Sequence, residues 1–310
     1  MASSDRGRLH IKGQPFHEGY RTLASPGDSA LRWQTIGRLG VVAGRAYELT
    51  IPAGTEAVCA LLHGEARIES EHLASEIARN GRDFTEGPTY LTLPPETSCR
   101  IVSQSPTTDL LMVQAPVEAM GQNDEAGTFQ VTRPTDAPAR RVGAGNWARE
   151  VWPGVSLVPG LRRLLVGETR NPPGNWSSYP PHKHDTAAPP IEAIYEEAYF
   201  LQFSPAGGFG LQRIYTRPAP NGETPEIGEA GGASDQVAPT EALDEVFAVE
   251  EGDLVIIPRG YHPVVAAPGY QMRYVWALCG APGAGRRYGA WSDDPAHAWL
   301  RAVEPILSDR

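Results

Sequence analysis

At 310 residues and 41% hydrophobic content, the chain is long enough for one large or two ordinary domains and apolar enough for packed cores, which sets aside global disorder. A net charge of −10 without a basic block argues against nucleic acid and anionic membrane as partners, so an anionic substrate has to be held by a few local Arg or Lys side chains. The opening MASSDRGRLHIKGQPF lacks an apolar signal core, no run approaches about 18 apolar residues, and Cys59, Cys99 and Cys279 make neither a disulfide framework nor a zinc knuckle. The expectation is a cytoplasmic protein with buried free thiols.

In chain order, RAYELTIP, EAVCALLHGEARI, TYLTLP and DLLMVQAP are short apolar or alternating runs closed by Gly or Pro, which predicts strands. EHLASEIARN, inside this series, reads as a helix or a loop. The second half repeats the style in RRLLVGETR, EAYFLQF, GLQRIYT, DLVIIP and MRYVWALCG, and ends on a helix candidate, DPAHAWLRAV. Many short strands with 33 Gly and 29 Pro point to an all-β sandwich or barrel.

A faint internal repeat supports two similar β units, 1–135 and 136–310. Glu48 to Gly54 and Glu168 to Gly174 share E-x-x-x-P-x-G, Glu56-Ala-Val-Cys is followed by GEARI as Glu197-Ala-Tyr-Phe is by GLQRI, and GPTYLTLP resembles GDLVIIP. The first copy has no His-x-His, and Ser98 stands where the second has His262, so metal ligands are expected in the second unit alone. The acidic, Gly/Pro/Ala-rich stretch 217–240 reads as a long loop, with a lid as one role for it.

GNWSSYPPHKHD holds His182 and His184 at i, i+2, a spacing that puts both imidazoles on one face of a strand. Glu197 opens a strand on which Tyr199, Leu201 and Phe203 share its face, and His262 follows a strand ended by Pro-Arg-Gly. Three imidazoles and a carboxylate on neighbouring strands suit zinc, manganese, iron, cobalt or nickel better than calcium or magnesium.

H-x-H, a following Glu and G-x5-P-x-G-x-H together resemble the two-part cupin signature, and cupins are small jelly-roll barrels. More narrowly, NPPGNWSSYPPHKHD, EEAYFLQF, GFGLQRIYT and GDLVIIPRGYHPVVAAPGYQMRYVWALCG resemble, in order, the 5-deoxy-glucuronate isomerase family of inositol catabolism, which is related to the 4-deoxy-5-ketouronate isomerases of pectin breakdown. The resemblance implies a bicupin, one divalent transition metal with zinc as first choice, and His182, His184, Glu197 and His262 as ligands, with Glu196 the neighbour one residue away. It also implies an aldose–ketose isomerisation of 5-deoxy-D-glucuronate to 5-dehydro-2-deoxy-D-gluconate without an organic cofactor. A small sugar acid is then the partner, and a homo-oligomer is compatible with it. The alternatives are the ketouronate isomerisation, an iron-dependent dioxygenase, or a sugar- or metal-sensing module.

The proton-transfer residue is not visible from the sequence. Glu196 and Asp185 are candidates beside a metal-bound water. For the substrate, Arg170, Lys183 and Arg213 are the candidate cations, with Arg259 on the turn before His262. Tyr199 and Tyr261, along with Trp176, Tyr179 and Tyr274, are candidates for the pocket wall.

Overall fold

The computed structural model describes residues 8–71, 73–118, 127–217 and 242–308. Every one of the expected strand runs forms a strand, and the architecture is all-β with the α-helix Leu300–Ser308 near the end. A nine-stranded sheet takes its members from Gly19–Ala24 through Gln130–Thr132. A seven-stranded sheet runs in the order His10–Ile11, Leu254–Ile257, Tyr195–Ser204, Gln271–Gly280, Leu164–Asn171, Arg149–Trp152, Arg140–Val142. A four-stranded sheet, Trp176–Ser177, Val264–Ala266, Phe209–Tyr215 and Asp244–Glu250, packs against it. His10–Ile11, from the start of the chain, thus closes an edge of the sheet built from the second half.

Strand alternation explains the near-continuous apolar runs. In Thr55–Glu69, Ala57, Cys59 and Leu61 enter the core of the first unit, while Val58, Ala60 and Leu62 face a second core. In Tyr195–Ser204, Tyr199, Leu201 and Phe203 face inward, and Ala198 and Phe200 meet Val58, Ala60 and Leu62. Both central strands are therefore covered on two faces, and neither can show the polar alternation of a solvent-facing sheet. The three cysteines are free and buried, as expected.

Reciprocal carboxylates fasten this interface. Glu56 accepts the backbone N–H groups of Arg162, Arg163 and Leu164 at 2.7, 2.9 and 2.8 Å. Glu196 accepts those of Arg32, Trp33 and Gln34 at 2.7, 2.8 and 2.9 Å. Each carboxylate sits near the start of a central strand and holds the turn leading into the other unit's next strand, Leu164–Asn171 or Thr35–Val42. The repeat is therefore shifted by one residue from its reading in the sequence: Glu56 corresponds to Glu196, and Glu197 corresponds to Ala57. A slip of one residue exchanges the two faces of a strand, so this shift separates an interface clamp from an inward-facing group.

EHLASEIARN is not a helix. Ala74–Arg79 pairs antiparallel with Gly64–Glu69, and its burial alternates, with Ile77 and Arg79 inside and Glu76 and Ala78 outside. The pairing partner overrides a helical propensity this short. The C-terminal helix begins at Leu300, later than DPAHAWLRAV suggests. Apart from Arg217, the stretch 217–240 lies outside the described residues. Among the described residues, no helix is long and apolar enough to cross a membrane.

Candidate metal centre and its cavity

Between the two sheets of the second half lies a cavity of about 150 Å³, lined among others by His182, His184, Glu197, Tyr199, Tyr274, Trp276 and Arg149. His184 leaves the short strand His182–Lys183, which pairs with Ser292–Asp293. Glu197 lies on Tyr195–Ser204, opposite Ile257 and Leu278. His262 follows the turn after Leu254–Ile257. Only glycine fits that turn at 260, since φ there is +87° and a Cβ would lie 2.5 Å from the carbonyl oxygen of Tyr215.

The donor atoms of His184, Glu197 and His262 all lie within 4.8 Å of one another, and all three side chains are buried. Nε2 of His184 is 3.0 Å and Nε2 of His262 is 3.2 Å from Glu197 Oε2. On their other sides, His184 Nδ1 lies 3.0 Å from the carbonyl oxygen of Tyr195, and His262 Nδ1 lies 2.9 Å from that of Gly260. A carbonyl can only accept, so each Nδ1 carries a proton and donates it. In the neutral ring, the Nε2 lone pair then faces the carboxylate. His262 Nε2 is buried and has no aligned hydrogen-bond partner. Converging lone pairs beside a carboxylate repel one another unless a proton or a metal ion lies among them; without metal, His184 can supply that proton to Glu197. Donors about 2.0–2.2 Å from one ion would stand roughly 3.0–3.4 Å apart, which the two His–Glu197 separations match.

Electrostatics agree with ligand duty. Without metal, burial alone would raise the Glu197 carboxyl, but the hydrogen bond from His184 and the nearness of His262 outweigh it and hold the group at about 2, so it is ionised at neutral pH. His182 is pushed well below its ordinary value by burial and then by His262 and His184, and stays neutral. Its ring centroid is 4.8 Å from that of His262 and 6.5 Å from that of His184. It lines the cavity beside the three-residue group rather than within it.

The KduI/IolB family model matches residues 14–300. This chain belongs to the KduI/IolB family. A 5-deoxy-glucuronate isomerase of Geobacillus thermodenitrificans is 32% identical over 251 residues, covering 79% of this chain and 78% of that protein. One of Geobacillus kaustophilus is 29% identical over 290 residues, 92% of each chain. The crystal structure of an IolB-like protein from Salmonella typhimurium superposes with a TM-score of 0.74 at 24% identity, covering 94% of this chain and 99% of that one. An oxalate decarboxylase from Lactobacillus farciminis superposes with a TM-score of 0.61 at 12% identity, over 97% and 93%. These two likenesses concern the fold, which is the bicupin expected from the sequence.

Several residues singled out in the sequence of this KduI/IolB chain do not reach the cavity wall. Glu196 points to the opposite face of its strand, into the interface. Arg170 is bound to Glu150 and to the carbonyl of Phe84 and lies over the Trp152 ring. Arg213 is half exposed and paired with Asp244 at 2.8 Å. Tyr261 packs on Tyr215, with ring centroids 5.3 Å apart. Long-range partners that no local pattern reveals have taken up these groups. Of the substrate candidates, Tyr199 lines the cavity, its hydroxyl 2.7 Å from Ser178 Oγ. Burial holds that phenol well above its ordinary value, so it is protonated and serves as a donor. Sequence reasoning missed Arg149, Tyr288 and Trp291. Arg149 opens a short inner strand and Tyr288 and Trp291 lie in the loop before Ser292–Asp293; none belongs to a motif, and the tertiary fold carries them to the cavity.

In this KduI/IolB chain, Lys183 and Asp185 are bonded to each other and to the turn that carries His262. Lys183 Nζ reaches Asp185, Thr186 and Glu192 at 2.5, 2.6 and 2.8 Å, on the strand face away from the cavity. Burial opposes both charges, yet the pair outweighs it: Lys183 is raised and Asp185 lowered. The other oxygen of Asp185 accepts the N–H of Gly260 at 2.8 Å, and the Gly260 carbonyl orients His262. Asp185→Ala is expected to weaken metal affinity roughly 10-fold without removing a ligand, as losses around metal ligands do. A chelator-competition titration checks this, and unchanged affinity would show that the turn stands without Asp185.

Proposed function

We propose that this protein isomerises 5-deoxy-D-glucuronate to 5-dehydro-2-deoxy-D-gluconate in the cytoplasm, with one divalent ion, zinc by preference, held by His184, Glu197 and His262 and completed by His182. The observation that carries the reading is the convergence of those donors on one cavity, in a chain whose curated relatives, matched over as much as 92% of its length, are named 5-deoxy-glucuronate isomerase. The reaction turns an aldehyde into an alcohol and the neighbouring carbinol into a ketone. When bound, the ion supplies Lewis acidity toward the two reacting oxygens.

The chain's own residues supply the rest. The Nδ1–H bonds to Tyr195 and Gly260 fix the tautomer and aim of His184 and His262. Tyr199 and Tyr274, with ring centroids 4.4 Å apart, form an aromatic wall that limits water and offers hydroxyl donors to the sugar. Ser177 and Ser178 hold those hydroxyls in place at 2.5 and 2.7 Å.

The test is incubation of metal-loaded protein with 5-deoxy-glucuronate under anaerobic conditions, following the aldehyde proton by NMR. Loss of the aldehyde with appearance of the ketone is expected. Turnover only with oxygen would make the protein a dioxygenase, and turnover of 4-deoxy-5-ketouronate alone would move it to the related isomerase.

A further inference from the structure

Arg149 is a buried cation on the cavity wall, 8% exposed, at the start of the strand Arg149–Trp152. Its Nη1 donates to the carbonyl oxygens of Trp147 and Tyr179, each at 3.0 Å. Among the described residues no carboxylate stands within ion-pair distance of it. Arg286 is likewise held by backbone carbonyls, those of Val155, Val158, Leu161 and Leu164, but it does not line the cavity, and two other arginines have carboxylate partners. Arg79, equally buried, pairs with Glu168 at 2.5 Å. Arg301, which also lines the cavity, is held by Asp293 at 2.8 and 3.0 Å. Arg273 lacks a carboxylate too, but it lies away from the cavity, over the Phe84 ring and bonded to Gln202 and the carbonyl of Leu62. Burial lowers the Arg149 pKa from its ordinary value, the mark of a charge short of a counter-ion. An unpaired buried charge is costly, and one that faces a cavity is placed where a ligand can supply the partner.

We propose that Arg149 is the carboxylate subsite of this cavity. The two carbonyls tether one arm of the guanidinium and leave the remaining N–H fork to take a carboxylate, the geometry for which arginine is suited and lysine is not. The acid end of the sugar lies at Arg149 and its aldehyde end at His184, Glu197 and His262, so the cavity reads both ends of an open-chain uronate. Arg287, exposed at the rim, adds a second positive charge on the approach. The choice of ligand rests on the isomerase reading.

Calorimetry on metal-loaded and metal-free protein compares 5-deoxy-glucuronate with its neutral counterpart, 5-deoxy-glucose, in the wild type, Arg149→Met and Arg149→Lys. The wild type should prefer the acid. Arg149→Met should bind it roughly 100-fold or more weakly, as when one partner of a buried charge pair is removed, with binding of the neutral sugar and metal content nearly unchanged. Arg149→Lys should recover part of the preference. If both variants keep the full preference for the acid while the wild type isomerises it, the subsite is wrong and the functional reading stands. A wild type that binds the acid through Arg149 but does not isomerise it leaves the subsite and removes the reading. Should the variants fail to fold, a crystal structure of the wild type with D-glucuronate decides: a carboxylate bound away from Arg149 overturns the proposal.

Discussion

His262→Gln is expected to lose at least about 100-fold in metal affinity and nearly all isomerase turnover while the protein stays folded. The imidazole is fully buried, its Nδ1–H is committed to Gly260, and its Nε2 lies 3.2 Å from Glu197 with no aligned partner of its own. Glutamine roughly preserves the volume but replaces a strong nitrogen donor with a weakly ligating amide. The surrounding core, Tyr199, Ile257, Val264 and Tyr274 among others, does not depend on that nitrogen. Stability comes mainly from this apolar burial, so the melting temperature of metal-free protein should move little. Metal stoichiometry, melting temperature and aldehyde loss measured on the one variant decide the matter. A folded protein with full metal and full rate would remove His262 from the site.

The adjacent glutamates are expected to fail in opposite ways. Glu197→Gln should abolish tight metal binding and turnover, since among the described residues the carboxylate is the one anion in the converging group. Glu196→Gln should keep both and instead destabilise the fold by about 2–3 kcal/mol, because an amide N–H₂ replaces an oxygen that accepts buried backbone N–H groups. Glu56→Gln, on the other side of the interface, should cost a similar amount. Denaturant unfolding and metal analysis on the three variants separate the roles. Retention of metal by Glu197→Gln with its loss in Glu196→Gln would reverse the assignment.

Much of the fold was legible because strands buried on both faces leave unbroken apolar runs, as in VCALL, AYFLQF and LVII, each ended by Gly, Pro or a polar turn. EHLASEIARN misled because six residues that alternate inside to outside also contain enough helix formers to mimic an amphipathic turn, and only the partner strand Gly64–Glu69 settles the matter. In the site, H-x-H and P-x-G-x-H marked the imidazoles, since the chemistry depends on local spacing. The cations were misread for the opposite reason. Arg170 and Arg213 are spent on Glu150 and Asp244, respectively 20 and 31 residues away, and Arg149 carries no local pattern at all.

By itself, then, the sequence determined what is written in short-range spacing: an all-β chain, its strand runs, three imidazoles with a neighbouring glutamate, and the family resemblance. Tertiary structure alone decided that Glu196 clamps the interface, that Lys183 and Asp185 support the turn carrying His262, and that Arg149 has no carboxylate partner among the described residues. The physical reason is that a strand's face is set by its register with neighbours distant in sequence, and a charge's role by whichever opposite charge the fold brings beside it.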